Sequence, residues 1–266
     1  MRVTTMRFYR KSPIGRLILV VGVFWSINAG MTFSQDAPTA AGTEKIGEVF
    51  GKSVSRSDLG EKSSKVKDKL HELILVPVAK RYQELHKKEF EPTEEEVAWT
   101  TEFFKKAAQE IVNREEPESR KRIAAIQQQL DRSDLTAATR EALQQEKDLK
   151  QKVLEVYKNW PARDFAVLKL TSWKFERHLY DNYGGGCILW QQGGVEAFDA
   201  TRKWLEAREK AGDFKITDEK LRAKFYAYWT TQYHGQSLID DSETIEQLFL
   251  KPDWVYVAPK TPNEKK

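Results

Sequence analysis

Apolar residues recur at intervals of three and four along much of the chain, which is the spacing of one face of an α-helix. The first such series runs from residue 66 to residue 85, and Pro77 within it predicts a kink. A second series follows Thr93, whose hydroxyl can cap a helix, while Glu96 three residues later completes a capping box. The buried face predicted for this second helix consists of Val97, Phe104, Ala108 and Ile111.

Before the first helix, the pattern changes to short β-prone stretches. Ile46, Val49 and Val54 flank the pair Gly51-Lys52, which is typical of a tight turn. These residues predict a small β-hairpin near the N-terminus.

Residues 114–160 are the most charged part of the chain, and their apolar residues form thinner stripes. Pro117 is typical of a first helical turn, and either Asp134 or Thr136 is expected to cap the helix after a tight turn. The inward stripe predicted for that helix consists of Leu135, Ala142, Leu149, Val153 and either Val156 or Tyr157. We interpret the segment as a projecting hairpin of two antiparallel helices, and its charge run as a solvated face rather than a binding site.

A further helix is predicted to open at Pro161. Its predicted buried face includes Trp173, Glu176 and Tyr180. It is expected to end at residues 184–186, because glycine accepts the left-handed conformation of a helix C-cap.

Two glycine clusters enclose the short apolar run at residues 187–190. We interpret this stretch as a helix–turn–helix corner with Ile188, Leu189 and Trp190 packed inward. The starts of three later helices are predicted near Val195, at Thr217 or Asp218, and at Ser242. Together, the patterns predict a mainly α protein with a small N-terminal β-hairpin and a projecting helical hairpin.

The first 34 residues have the order of a secretory signal peptide: a basic start, the apolar run from Leu17 to Trp25, and then small and polar residues. The run is shorter than the roughly 20 residues that span a bilayer. A cleaved leader is therefore expected, with an uncleaved signal anchor as the alternative. We expect an exported protein, periplasmic or in the cell envelope, with no integral membrane span after cleavage.

Changes in composition divide the rest of the chain. The predicted segments are a linker at 35–45, an N-terminal module at 46–113, the charged hairpin at 114–160, an aromatic-rich helical region at 161–258 and a disordered tail at 259–266.

The chemistry-bearing residues predict no catalytic centre, metal site or cofactor. A net charge of only +4 argues against a nucleic-acid partner. Cys187 is the single cysteine, so no intrachain disulfide forms, and no basic neighbour in sequence lowers its pKa. The stretch HELIL at 71–75 has Leu75 where the zinc-protease motif has its second histidine.

The stretch IGEVFGKSVSRSDL is followed by a long amphipathic helix and then by EPTEEEVAWTTEFFKKA. This arrangement resembles the N-terminal module of SurA-type exported folding factors over residues 46–111. Residues 50–59 match the family's motif n-G-x-x-I/V-t-r-x-d-L, with Phe50 in place of the usual asparagine, and residues 92–97 match its helix start. The resemblance implies an export-compartment chaperone or a peptidyl-prolyl isomerase.

Isomerases of this kind carry a parvulin domain with the pattern G-G-d-L-G-w/f…F-e-x-A. Residues 185–190 and 197–200 are similar to that pattern. In a parvulin domain a histidine lies upstream on a strand, whereas the residues around His178 have helical spacing. A divergent parvulin-like domain is therefore kept as an alternative.

Aromatic residues make up 11% of the chain and include eight tryptophans, concentrated after residue 160. Tryptophan and tyrosine give large contacts at low entropic cost, although any single ring can simply fill a core. We predict a non-catalytic, chaperone-like protein that binds unfolded or extended polypeptide. A structural partner in cell-envelope assembly, with the charged hairpin as its contact arm, is a further alternative. The predicted peptide-binding residues are Trp99, Phe103, Trp173, Tyr180, Tyr183 and Trp190.

Overall fold

The computed structural model describes residues 44–60, 66–191, 194–229 and 237–256. The predicted signal peptide, residues 35–43 of the predicted linker, and the predicted tail lie outside these ranges. The described residues are mainly helical with short antiparallel strands, which confirms the predicted fold class.

The elements are numbered here in chain order. The helices are α1 (Val66–Leu70), α2 (Val76–Leu85), α3 (Lys87–Phe90), α4 (Glu94–Leu130), α5 (Ala137–Lys158), α6 (Ala162–Tyr183), α7 (Phe198–Ala211), α8 (Glu219–Ala227) and α9 (Ser242–Ile245), with π-helical turns at His71–Leu75 and Glu246–Leu250. The strands are β1 (Lys45–Val49), β2 (Lys52–Ser55), β3 (Ile188–Gln191), β4 (Gly194–Glu196), β5 (Phe214–Ile216) and β6 (Leu238–Ile239).

Contacts divide the chain into two units, and the boundary passes through α6 between Lys169 and Leu170. Unit 1 contains the described residues 92–169 and 254–256. Unit 2 contains the described residues 44–60, 66–91, 170–191, 194–229 and 237–253.

The predicted N-terminal hairpin is present in unit 2 as β1 and β2. Its turn lies at Phe50 and Gly51, one residue earlier than predicted, and both residues have positive φ, at 49° and 77°. Strand β5 adds to the other side of β1, giving the antiparallel order β2-β1-β5. At Gly47 the strands approach closely, because a Cβ there would lie 2.3 Å from the carbonyl oxygen of Lys215.

The predicted helix–turn–helix corner at the glycine-flanked run is wrong, because these residues form a β-hairpin. Strand β3 pairs with β4 and with β6 to give the order β4-β3-β6. Gly184, at φ 79°, follows the last residue of α6. The backbone N–H groups of Gly186 and Cys187 then donate to the Asp199 carboxylate. A run of four apolar residues with turn residues on both sides is long enough for a strand and too short for a helix, which explains the outcome.

The core of unit 2 is built mainly from aromatic and aliphatic side chains. Its largest fully buried members are Ile46, Leu70, Phe90, Leu179, Ile188, Trp204, Phe214, Phe225 and Phe249. They come from helices and from both small sheets, so the sheets belong to the same core as the helices.

Helix α4 in unit 1 is 37 residues long. The predicted capping box at its start is confirmed, since Thr93 Oγ1 accepts from the backbone N–H of Glu96 and the Glu96 carboxylate accepts from that of Thr93. The sequence predicted a new helix at Pro117, whereas α4 continues through this residue. A proline removes one helical hydrogen bond, here to the carbonyl of Asn113. Both residues are exposed, so water can satisfy that carbonyl without ending the helix.

Helices α4 and α5 form the predicted antiparallel hairpin. Arg122 makes two hydrogen bonds to Glu146, at 2.8 and 2.7 Å, and Lys158 Nζ lies 2.7 Å from the Glu116 carboxylate. The Thr136 side chain caps α5, as one of the two sequence alternatives predicted. Phe104, Ala107 and Ile111 of α4 and Ala162, Phe165 and Ala166 of α6 form a hydrophobic core cluster in unit 1.

Gly185 provides a test of the packing beside β3. A Cβ at this position would lie 2.0 Å from the ring of Tyr180, which itself packs on Phe249 with ring centroids 5.4 Å apart. We expect Gly185→Ala to lower the free energy of unfolding by about 1–3 kcal/mol, the usual cost of overpacking. Denaturant titration measures this change. In a Tyr180→Ala background the cost should become much smaller, and an equal cost in both backgrounds would show that the ring contact is not the cause.

Candidate functional sites

The predicted peptide-binding residues lie in both units. Trp99 and Phe103 are in unit 1, where Trp99 is 51% exposed and Phe103 is half-buried against the core. The Trp99 ring lies 5.9 Å from that of Tyr256. Trp99 is thus an exposed aromatic side chain, whereas Phe103 mainly contributes to packing.

The other four predicted residues belong to unit 2 and are half-buried. Trp173 donates from Nε1 to the carbonyl of Phe249 at 2.7 Å. Tyr180 and Tyr183 pack against the unit 2 core, and Trp190 lies on β3. All four retain some accessible surface.

The exposed apolar surface that stands out in unit 1 is a row on α5. It consists of Leu149, Val153 and Val156, which are 62%, 45% and 40% exposed, and we call it the α5 row. Steps of four and three residues place these side chains on one face of the helix.

The sequence placed these residues on the inward stripe, and that prediction is wrong. The side of α5 that packs against α4 instead carries the buried Leu154 and the half-buried Leu143 and Tyr157. Both sets have helical spacing, so periodicity alone does not distinguish them. The contact between Arg122 and Glu146 fixes which face of α5 turns toward α4.

A pair of carboxylates in unit 2 was also missed as a site. Glu196, at the end of β4, accepts hydrogen bonds from Gln191 Nε2 at 2.9 Å, from the Tyr228 hydroxyl at 3.1 Å and from Trp229 Nε1 at 2.6 Å. Three side-chain donors thus converge on one carboxyl group. Glu196 therefore joins β3, β4 and the residues that follow α8.

Glu176 on α6 is the second member of the pair. One of its carboxylate oxygens accepts from the backbone N–H of Ala197 at 2.8 Å. Although part of the side chain is accessible, many protein atoms surround the carboxyl group, and this burial, with the charge of Glu196, raises the pKa of Glu176 to about 8. At neutral pH Glu176 is thus protonated. Its hydrogen bond to Ala197 links α6 to the residue that follows β4.

His71 packs in a cluster of aromatic rings that includes Tyr228 and Trp229, two of the residues that bind Glu196. Its ring lies 5.1 to 5.5 Å from those of Phe225, Tyr228 and Trp229. Burial lowers the pKa of His71, and its Nε2 atom has no hydrogen-bond partner in the part of the chain that the structure describes. The imidazole is therefore neutral and packs as an aromatic ring.

A second polar cluster in unit 2 has the order carboxylate, imidazole, hydroxyl. Glu89 lies 3.3 Å from Nδ1 of His178, whose Nε2 shares a 2.9 Å hydrogen bond with the Tyr82 hydroxyl, and Glu89 also contacts Nδ1 of His86 at 2.7 Å. Burial raises the pKa of Tyr82, so its phenol is a poor nucleophile. Asp181, one turn along α6 from His178, binds Arg177 and is not part of this cluster. This cluster cross-links helices.

Cys187 lies beside the Asp199 carboxylate. Burial and the negative charge of Asp199 raise the pKa of the Cys187 thiol to about 11. The thiol is therefore protonated at neutral pH and weakly reactive.

The described residues contain neither a cluster that could hold a metal ion nor a helix that could span a membrane. Among the described residues, no group of three or more histidine, cysteine, aspartate and glutamate side chains has an arrangement that could hold a metal ion. None of the helices within those ranges combines the length and apolar character needed to cross a bilayer.

Comparison of the chain with known protein families, with curated proteins and with solved structures gave no match.

The raised pKa of Glu176 predicts a specific pH dependence of stability. The folded state holds a proton up to about pH 8, whereas the unfolded side chain releases it near its ordinary value of 4.5. Unfolding between these values releases up to about one proton, so this contribution to stability is fully present below pH 4.5 and is lost as the pH rises through 8.

Glu176→Gln keeps the neutral shape and removes the titration. We expect the variant to gain stability relative to the natural protein as the pH is raised from 5 to 8, measured by denaturant titration at each pH. Glu84→Gln, at an exposed position of α2, is the matched control and should show no such trend. A Glu176→Gln difference that stays constant with pH would contradict the assignment.

Proposed function

We propose that this chain is an exported, non-catalytic protein that binds unfolded or extended polypeptide in the manner of a chaperone. The observation that carries the proposal is the α5 row. Three aliphatic side chains lie uncovered on a helix that is otherwise highly charged. A surface of this kind is typical of a site that another apolar chain covers.

The apolar area of the α5 row is suited to weak, reversible binding of a polypeptide. Fully burying one aliphatic side chain contributes about 1.5–3 kcal/mol, and part of this is offset by ordering the partner. Three partly covered side chains therefore support weak, exchangeable binding. The exposed Trp99 in the same unit adds a further apolar contact of the type predicted from sequence.

Export is the part of the proposal that rests on the N-terminal sequence. The basic start and short apolar run within residues 1–34 have the order of a secretory leader, which supports a periplasmic or cell-envelope location.

One observation bears on the isomerase alternative: the residues after Cys187 form a strand and not the helical corner expected from sequence. Against it, His178 lies on α6 and is engaged with Tyr82 and Glu89, and the pKa of the Cys187 thiol is raised. We therefore prefer binding without catalysis.

The test is suppression of aggregation of a chemically unfolded client by the purified protein. The variant Leu149→Gln/Val153→Gln/Val156→Gln removes the α5 row while keeping a good helix former at each position. We expect roughly tenfold weaker protection, as for a loss of about 1.4 kcal/mol in binding.

The control for this test is Val76→Gln/Leu85→Gln, which makes the same kind of change at exposed apolar positions of α2. It should protect as well as the natural protein. Equal protection by both variants, or acceleration of prolyl isomerisation in a short peptide, would overturn the proposal.

A further inference from the structure

The exposed surface around the α5 row continues along the axis of α5 toward the start of the helix. Exposed residues at steps of three and four form this surface from near the start of the helix: Ala138, Ala142, Gln145, Leu149, Lys152 and Val156. From 138 to 156 the rise of about 1.5 Å per residue gives a ridge of roughly 27 Å. A long ridge with steps of three and four matches the packing surface of another helix.

Helix α5 does not need this face for its own stability. Its other side is held to α4 by Leu154 and by the paired hydrogen bonds between Arg122 and Glu146. The ridge is thus free to accept a third helix beside the hairpin.

One edge of the ridge is predominantly acidic. Glu141, Asp148 and Glu155 are exposed and repeat every seven residues, and we call them the acidic edge. Their hydrogen bonds come from the neutral amides of Gln145, Gln144 and Asn159. Within the described ranges none of the three makes a salt bridge. Lys152 is an exposed cation within the ridge itself, between Leu149 and Val156.

Charge complementarity also argues against a second copy of this chain as the occupant. In an antiparallel pair the acidic edge would face itself. In a parallel pair it would face the positions of Thr139, Glu146 and Val153, which carry no positive charge.

We propose that the ridge on α5 binds amphipathic helical segments whose apolar face is bordered by lysine or arginine. The proposal rests on the proposed function, since it names the class of polypeptide that the same surface selects. Apolar contact with the α5 row provides the affinity, and the acidic edge provides the selection.

The experiment uses three synthetic peptides with identical apolar positions at heptad spacing, measured by fluorescence anisotropy with the full protein. One peptide has lysine along its edge, one has glutamate there, and one is the lysine peptide with a central proline that prevents a helix. We expect the lysine peptide to bind at least about tenfold more tightly than either of the others, and the preference over glutamate to shrink at high salt.

Charge reversal supplies the matched variants. Glu141→Lys/Asp148→Lys/Glu155→Lys should invert the preference between the lysine and glutamate peptides. Glu84→Lys/Glu110→Lys/Glu118→Lys changes the net charge equally at exposed positions elsewhere and should retain the preference.

The outcomes separate this inference from the proposed function. If an unfolded client is protected from aggregation but the peptides bind equally, the inference is overturned while the proposed function stands. If neither the client nor any peptide is bound, both are overturned. If the proline-containing peptide binds as tightly as the lysine peptide, the inference that the partner binds as a helix is overturned.

Discussion

The antiparallel contact between α4 and α5 is the interaction on which the proposed surface depends. It buries Leu154 and aligns Arg122 with Glu146 through two short hydrogen bonds. Because packing of one face on α4 stabilises α5, a second apolar face of this helix can stay exposed without the helix unfolding. Helical stability in proteins comes mainly from packing such a face, so an additional exposed row is not explained by the fold alone.

Unit 2 follows a different principle, in which two glutamate side chains are enclosed by the packed region and hydrogen-bonded there. Glu196 receives three side-chain donors, and Glu176 keeps a proton because burial disfavours its charge. The clusters around Glu196 and His178 connect elements that are distant in sequence. We interpret them as structural links, since the phenols of Tyr82 and Tyr228, one in each cluster, both have raised pKa values.

Local signals in the sequence predicted local structure well. The cap at Thr93 was predicted, and the caps at Thr136 and Asp218 were each one of two predicted alternatives, because a cap involves residues only a few positions apart. The pairing of β5 with β1 was not predictable in this way, since the partners are more than 160 positions apart in the chain. The strand at β3 was missed because its apolar run is short and lies between strongly helical segments.

The candidate sites also depend on contacts between residues that are distant in sequence, which local patterns do not predict. Periodicity placed Glu176 on the buried face of α6, but its partner Glu196 lies beyond a turn that was assigned to the wrong structure. On α5, two apolar rows have equivalent spacing, and only the contact with α4 determines which is buried.

Site-specific photocrosslinking tests the central claim most directly. A photoreactive amino acid is placed at Leu149 or Val153 in the α5 row, and at Gln144 or Gln151 on another exposed side of the same helix. An unfolded client is then added and irradiated. The account predicts crosslinks mainly from Leu149 and Val153, and equal crosslinking from all four positions would contradict it.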